Sequence, residues 1–95
     1  MISCFDYKVP NGKLVRVRAE FQGELVLALK ITGDFFMHPE HGIELVEAAA
    51  KGKTLEELQG AIERAVEENS ITLFGVSPEA IAHAVKMASG QSGQV

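Results

Sequence analysis

The residue types with the most distinctive chemistry fall in one short run, Gly33-Asp34-Phe35-Phe36-Met37-His38-Pro39-Glu40. Asp34 can bind a cation or orient a polar ligand. It can equally accept from loop N–H groups ahead of a helix, the commoner use of an aspartate after a strand. His38, Glu40, His41 and Glu44 are metal-ligand types. Two histidines three apart do not make a strong zinc signature, and charged groups at a helix start are commonly just solvated, so no metal site is expected. Phe35 and Phe36 cannot both face one core from a regular strand, because successive side chains point to opposite faces. One of the two is expected in a loop, at a helix start, or against something outside the chain.

A second set lies upstream. Lys8 and Lys13 flank Pro10-Asn11-Gly12, and their ammonium groups suit a phosphate or carboxylate. Exposed lysines beside a turn usually do nothing specific, and Asn11-Gly12-Lys13 lacks the spacing of a phosphate-binding loop. Cys4 is the single cysteine. As a persulfide or thiolate carrier it would need exposure and a lowered pKa; the plainer reading is a small strand residue near a terminus. No Ser-His-Asp or Cys-His pairing is legible. These residues describe a non-catalytic domain with one unusual end.

Composition narrows the class. The chain has 95 residues, enough for one domain with a small core. We expect that domain over residues 1–89 and a frayed tail over 90–95. No apolar run is long enough to span a bilayer, and no basic n-region with an apolar block follows Met1. With one cysteine, these features point to the cytoplasm. A formal net charge of −4 argues against nucleic acid or an anionic membrane as partner. Positive charge is nonetheless local. Lys8, Lys13, Arg16, Arg18 and Lys30 all lie in the first third, and acids dominate after Glu40.

Three strands are expected to carry the upstream set: Cys4 to Val9, Lys13 to Glu20 and Glu24 to Thr32. Val15, Val17 and Ala19 alternate with Arg16, Arg18 and Glu20, the pattern of a half-buried strand. A two-residue loop at Gln22-Gly23 would pair Val17 with Ala28 and turn the arginines to the face of Leu27 and Leu29. Three-residue loops at Pro10-Asn11-Gly12 and Phe21-Gln22-Gly23, each a type I turn plus a glycine bulge, avoid this. They pair Tyr7 with Val15, Phe5 with Val17, Val17 with Leu27 and Val15 with Leu29. Phe5, Tyr7, Val15, Val17, Leu27 and Leu29 then share the covered face. Asp6 meets Arg16 on the other face, and Cys4 meets Arg18. In this register Lys8, the turn and Lys13 converge on Gly33-Asp34-Phe35-Phe36.

The remainder reads as helices. The first opens at Pro39-Glu40 with a stripe of Ile43, Val46 and Ala50 and ends near Gly52, which suits the C′ position. Thr54-Leu55-Glu56-Glu57 is a capping box opening a helix to about Asn69. Gly60 within it is expected to permit close packing. Ile71 to Val76 is an apolar connector or short strand. Ser77-Pro78-Glu79 caps and opens the last helix. The expected fold class is α+β, a three-stranded antiparallel meander followed by about three helices packed on one face.

At Lys8-Val9-Pro10-Asn11-Gly12-Lys13-Leu14, at the Gly33 to Glu40 run and at Gly75-Val76-Ser77-Pro78-Glu79-Ala80-Ile81, the chain resembles the accessory domain of lipoate–protein ligases. In particular it looks like the small, separately encoded archaeal subunit, and the resemblance covers nearly the whole chain. It implies a fold similar to iron–sulfur scaffold and sulfur-acceptor proteins. It implies a subunit that is not catalytic alone and binds no cofactor of its own. The catalytic ligase subunit would be its heterodimer partner, with ATP, Mg and lipoate at that partner's site. Together they would activate lipoate to lipoyl-adenylate, for transfer to lipoyl-carrier domains of 2-oxoacid dehydrogenase or glycine-cleavage complexes. Functional residues carry over only as partner- or ligand-facing candidates, none of them catalytic: Lys8, Gly12, Lys13, Gly33, Asp34, Phe35, Phe36, His38 and Pro39. The alternative function is sulfur transfer or iron–sulfur assembly through Cys4.

Overall fold

The computed structural model describes residues 2–90; of the expected tail over 90–95, all but Gly90 lies outside them. The chain order is β1 (Ile2–Lys8), β2 (Leu14–Gln22), β3 (Leu25–Gly33), β4 (Phe36–His38), α1 (Gly42–Ala50), α2 (Leu55–Glu68), β5 (Thr72–Phe74) and α3 (Pro78–Ser89). The fold is α+β. β1, β2 and β3 form an antiparallel meander in that order, and β4 and β5 form a separate two-stranded ribbon. α3 packs on β1 and β2, α1 on β3, and α2 across both helices.

Alternation in β2 sorts its side chains as expected. Val15, Val17, Ala19 and Phe21 are buried, and Arg16, Arg18 and Glu20 are exposed. The helices close the core with Val46, Leu58, Ile62, Ile81 and Val85, all fully buried. Each such side chain contributes about 1.5–3 kcal/mol through removal of apolar surface from water. Thr54 and Glu57 form the capping box: the Glu57 N–H donates to Thr54 Oγ1 at 3.3 Å and the Thr54 N–H to Glu57 Oε1 at 3.1 Å. The Ala80 N–H donates to Ser77 Oγ at 3.1 Å, with Pro78 in the first turn of α3. Gly52 follows the Lys51 C-cap of α1 with φ +82, and Gly90 caps α3 with φ 84.

The β1–β2 register is the expected one, with Phe5 opposite Val17, Tyr7 opposite Val15, Asp6 opposite Arg16 and Cys4 opposite Arg18. The connecting turn has the expected length but another geometry. Gly12 N–H donates to Val9 O at 2.8 Å, and the positive φ, 60°, is at Asn11 and not at Gly12. Pro then a left-handed Asn is the pattern of a type II turn.

The β2–β3 register differs from expectation by four residues. Val17 faces Ile31, Val15 faces Gly33 and Ala19 faces Leu29. Gln22 pairs with Leu25, so the loop is Gly23-Glu24, with Gly23 at φ +60. Glycine first in a two-residue loop suits a type II′ turn. The extra residue that saves the facing sits inside β3. Glu20 pairs with Ala28 while Phe21 pairs with Val26, which leaves Leu27 unopposed as a β-bulge. The bulge returns Leu29 and Ile31 to the core while the arginines stay outside. Leu27 is consequently half-buried and not a member of the covered row.

Other departures are smaller. Pro39 and Glu40 form a turn ahead of α1, with the Gly42 N–H donating to Pro39 O at 2.9 Å, and the helix starts at Gly42. Gly60 is exposed, and nothing lies within 4 Å of where a Cβ would stand, so it serves no close packing. The outer edge of β3 is covered from two places. Glu47 Oε2 accepts from the Ile31 N–H at 2.7 Å, and the Val26 N–H donates to Lys53 O at 2.8 Å. No helix among the described residues is long and apolar enough to cross a membrane.

On the open face Arg16 grips Asp6 in a forked pair, Nε to Oδ1 at 2.8 Å and Nη2 to Oδ2 at 2.9 Å. The hydrogen bond from Arg16 holds the Asp6 carboxyl below its usual range, and the same bond raises Arg16. A depressed carboxylate adds its stability above the unfolded-state pKa and loses it as pH falls through the folded value. Asp6 is solvent-exposed, so the contribution is small. In carboxyl-carbon NMR, Asp6 is expected to titrate below the ordinary aspartate value of 3.8 and to return to it in Arg16→Ala. An ordinary Asp6 titration in the unaltered chain would contradict the forked pair.

Candidate functional site

Three sequence-distant stretches meet where β1 ends, β2 begins and β3 ends. The Lys13 N–H donates to Gly75 O at 2.9 Å, the Asp34 N–H to Leu14 O at 3.1 Å, and the Val9 N–H to Lys13 O at 3.1 Å. Lys8 folds over the turn, with Nζ donating to Gly12 O at 2.6 Å and to Val9 O at 3.3 Å. The stretches therefore form one hydrogen-bonded surface.

Glycine is required here for space as well as for φ. A Cβ on Gly12 would stand 2.7 Å from Gly75 O and 2.9 Å from Val9 Cγ1. A Cβ on Gly33, at φ +153, would overlap the Leu14 carbonyl oxygen. Gly75, at φ +83, lies under the Lys13 side chain, which a Cβ would strike. Backbone approach this close sets the path of the Lys13 stem, while Lys8, Lys13 and Asp34 themselves stay at least partly open to solvent. Asp34 is near enough to Arg16 to add to the negative field that raises the guanidinium. The end thus presents two ammonium groups and one carboxylate on a rigid backbone frame.

Beyond Asp34 the chain enters the ribbon. Phe36 pairs with Phe74, Met37 with Leu73 and His38 with Thr72. Phe35 is half-buried against the core, as are Met37 and Leu73. Phe36 points outward and is 73% exposed, and Phe74 opposite it is 57% exposed. The two adjacent phenylalanines divide, Phe35 turned in from the link ahead of β4 and Phe36 turned out as its first residue. His38 is exposed on the outer side of the ribbon, and Pro39, joined to it by a cis peptide bond, is half-buried where the chain leaves for α1.

The candidate residues thus fall in two groups. Lys8, Gly12, Lys13, Gly33 and Asp34 share the converging end. Phe36 and His38 lie on the adjoining ribbon, Phe35 beneath it and Pro39 at its far end. Cys4 is a free thiol on the open face of the meander, opposite Arg18. His38, Glu40, His41 and Glu44 do not gather: among the described residues no three His, Cys, Asp or Glu side chains group so as to hold a metal ion. Sequence reasoning missed Phe74 and Gly75 as members of this end. The available signal was short: Ile71 and Leu73 face in, Thr72 and Phe74 face out, and a left-handed Ser70 (φ 52) and Gly75 bound the run.

No family model matches the chain. It is similar to "Lipoate-protein ligase A subunit 2" of Thermoplasma acidophilum, with 32% identity over 87 residues, covering 92% of this chain and 90% of that protein. In space it superposes, at a TM-score of 0.78 and 28% identity, on a chain from a structural study of an archaeal lipoylation system. That study describes a bi-partite lipoate protein ligase and its E2 lipoyl domain from Thermoplasma acidophilum; the match covers 90% of this chain and 94% of that one. Identity sustained along nearly all of both sequences, with the same path of the backbone, shows that the chain belongs to the lipoate–protein ligase A subunit 2 family.

Proposed function

We propose that the chain is the non-catalytic accessory subunit of a two-component lipoate–protein ligase. It would pair as a heterodimer with the catalytic subunit and act in the cytoplasm, and the pair would activate lipoate with ATP to lipoyl-adenylate. The observation that carries this reading is the converging end. Three stretches are locked there by main-chain hydrogen bonds from Lys13 and Asp34, and the side chains of Lys8, Lys13 and Asp34 are open to solvent around it.

The mechanism would be closure. The sequence carries no phosphate-loop motif. ATP, Mg and lipoate would sit in the catalytic subunit. Laying this end over that site would exclude water and bring cationic donors toward the negative charge that develops as lipoate attacks the α-phosphate and pyrophosphate leaves. A rigid frame matters, because preset donors need no reorganisation as the charge forms. Lys8 and Lys13 are the groups suited to that charge, and Asp34 is suited to orienting a cation or donor on the partner. Passing the lipoyl group to a carrier lysine would be the catalytic subunit's own work.

The test is lipoylation of a carrier domain, such as that of a 2-oxoacid dehydrogenase or glycine-cleavage complex, started from lipoate and ATP. Product is expected only when the catalytic subunit and this chain are both present. Full activity of the catalytic subunit alone would overturn the proposal.

A further inference from the structure

Three large apolar side chains among the described residues are exposed: Ile2, Phe36 and Phe74. Ile2 stands alone at the start of β1, but Phe36 and Phe74 are register partners on the ribbon. Directly opposed residues in an antiparallel pair hold their Cβ atoms about 4.5–5.5 Å apart, so the two side chains leave the ribbon side by side and make one exposed apolar patch. Met37 and Leu73, on the other side of the same strands, pack into the core and fix the ribbon from below. The backbone beneath the patch is therefore held in place, and little backbone freedom would be lost on covering it. Beside Phe36 runs an open groove of about 360 Å³ between the end of β3 and the start of α1, walled by Phe35, Met37 and Ile43.

We propose that Phe36 and Phe74 together are the anchor by which this chain seats on the catalytic subunit, the larger chain receiving both rings in an apolar pocket. This rests on the accessory-subunit reading. Three observations select that occupant. The matched chain comes from a study of a bi-partite ligase, in which a second chain is available to cover such a face. The patch is continuous with the converging end: Gly75, next to Phe74, accepts from the Lys13 N–H, and Asp34 lies two residues before Phe36. A pocket closed on the rings would therefore bring Lys13 and Asp34 to the seam between the chains. A second copy is disfavoured. Two phenyl rings at these exposures present on the order of 250 Å², while a stable dimer buries about 800 Å² per partner. Central aromatic anchors surrounded by polar surface are the usual form of a binding hot spot.

The test is titration calorimetry of the full chain against the purified catalytic subunit, with Phe36→Ser/Phe74→Ser and, as control, Ile2→Ser. The double variant is expected to weaken binding by at least about 100-fold and Ile2→Ser to leave it unchanged. A second readout avoids any question of folding: in Phe74→Trp the indole emission is expected to shift to the blue and resist quenching when the catalytic subunit is added. No binding by the unaltered chain would overturn the accessory reading itself. Binding that the double variant retains, a loss equalled by Ile2→Ser, or an indole emission of Phe74→Trp unmoved in the complex would overturn the anchor alone. Sedimentation showing self-association that the double variant abolishes would assign the patch to a second copy and also overturn it.

Discussion

Supplied with lipoyl-adenylate in place of lipoate and ATP, the catalytic subunit is expected to lipoylate a carrier domain equally well with or without this chain. The expectation follows from which step needs help. Adenylation places a carboxylate against a polyphosphate, so repulsion and developing charge are largest there, and water competes for the activated acid. Exclusion of water and preset cationic donors act on those terms. Transfer from the adenylate to a lysine needs the acyl site and a path for the carrier. The same logic sorts substitutions. Lys13→Ala removes an ammonium whose stem is guided by Gly75, and Asp34→Ala removes the carboxylate at the same end. Each is expected to slow the reaction from lipoate and ATP by roughly tenfold or more, the weight of a charge-assisted contact. Lys53→Ala is expected to leave it unchanged, because Lys53 lies at the opposite end of β3, where its carbonyl accepts from the Val26 N–H. Equal dependence on this chain in both reactions would defeat the closure argument. Activity unaffected by Lys13 and Asp34 would defeat their assignment.

One substitution, glycine to alanine, is expected to act in opposite directions at two positions. At Gly33 the backbone has φ +153, and a Cβ would overlap the Leu14 carbonyl, which is backbone and cannot swing aside. Gly33→Ala must open the junction of β2 and β3 and stretch the bond from the Asp34 N–H to that carbonyl. The expected cost is about 2–3 kcal/mol, a fall in Tm of roughly 10–20 °C for a domain of this size. At Gly60, in the interior of α2 and exposed, the Cβ meets nothing within 4 Å. Gly60→Ala is expected to gain about 1 kcal/mol of helix propensity and raise Tm by a few degrees. Calorimetric melts of the two variants check both signs. A neutral Gly33→Ala would mean that this junction gives way easily, and the converging end would lose its claim to be a rigid frame.

The two glycines also mark what the sequence could and could not reveal. Alternation in Val15 to Glu20 and in Phe5 to Lys8 settles the β1–β2 pairing, because one face must be apolar and the turn length is short. The convergence of Lys8 and Lys13 on Gly33 and Asp34 follows from that pairing and the antiparallel return of β3. The second pairing was less legible. A bulge at Leu27 and a bulge in the loop both keep the arginines outside, so the hydrophobic pattern cannot choose between them. The ribbon was less legible still. Three residues are too few for a period, and Phe36 meets Phe74 only after two helices have been traversed. Glu47 reads as one more acid on a solvated helix face, yet its carboxylate accepts the Ile31 N–H at the edge of the sheet. The helix starts were legible where a cap is local, at Thr54 and Ser77. The start of α1 was misplaced because Pro39-Glu40 suits a turn as well as a first helical turn.

The most direct test of the accessory-subunit account is the formation of lipoyl-adenylate itself, followed by mass spectrometry after mixing lipoate, ATP and Mg with each protein and with both. The account predicts adenylate from the pair and none from this chain alone, with the catalytic subunit alone giving little or none. Adenylate formed equally well without this chain, or by this chain by itself, would contradict it.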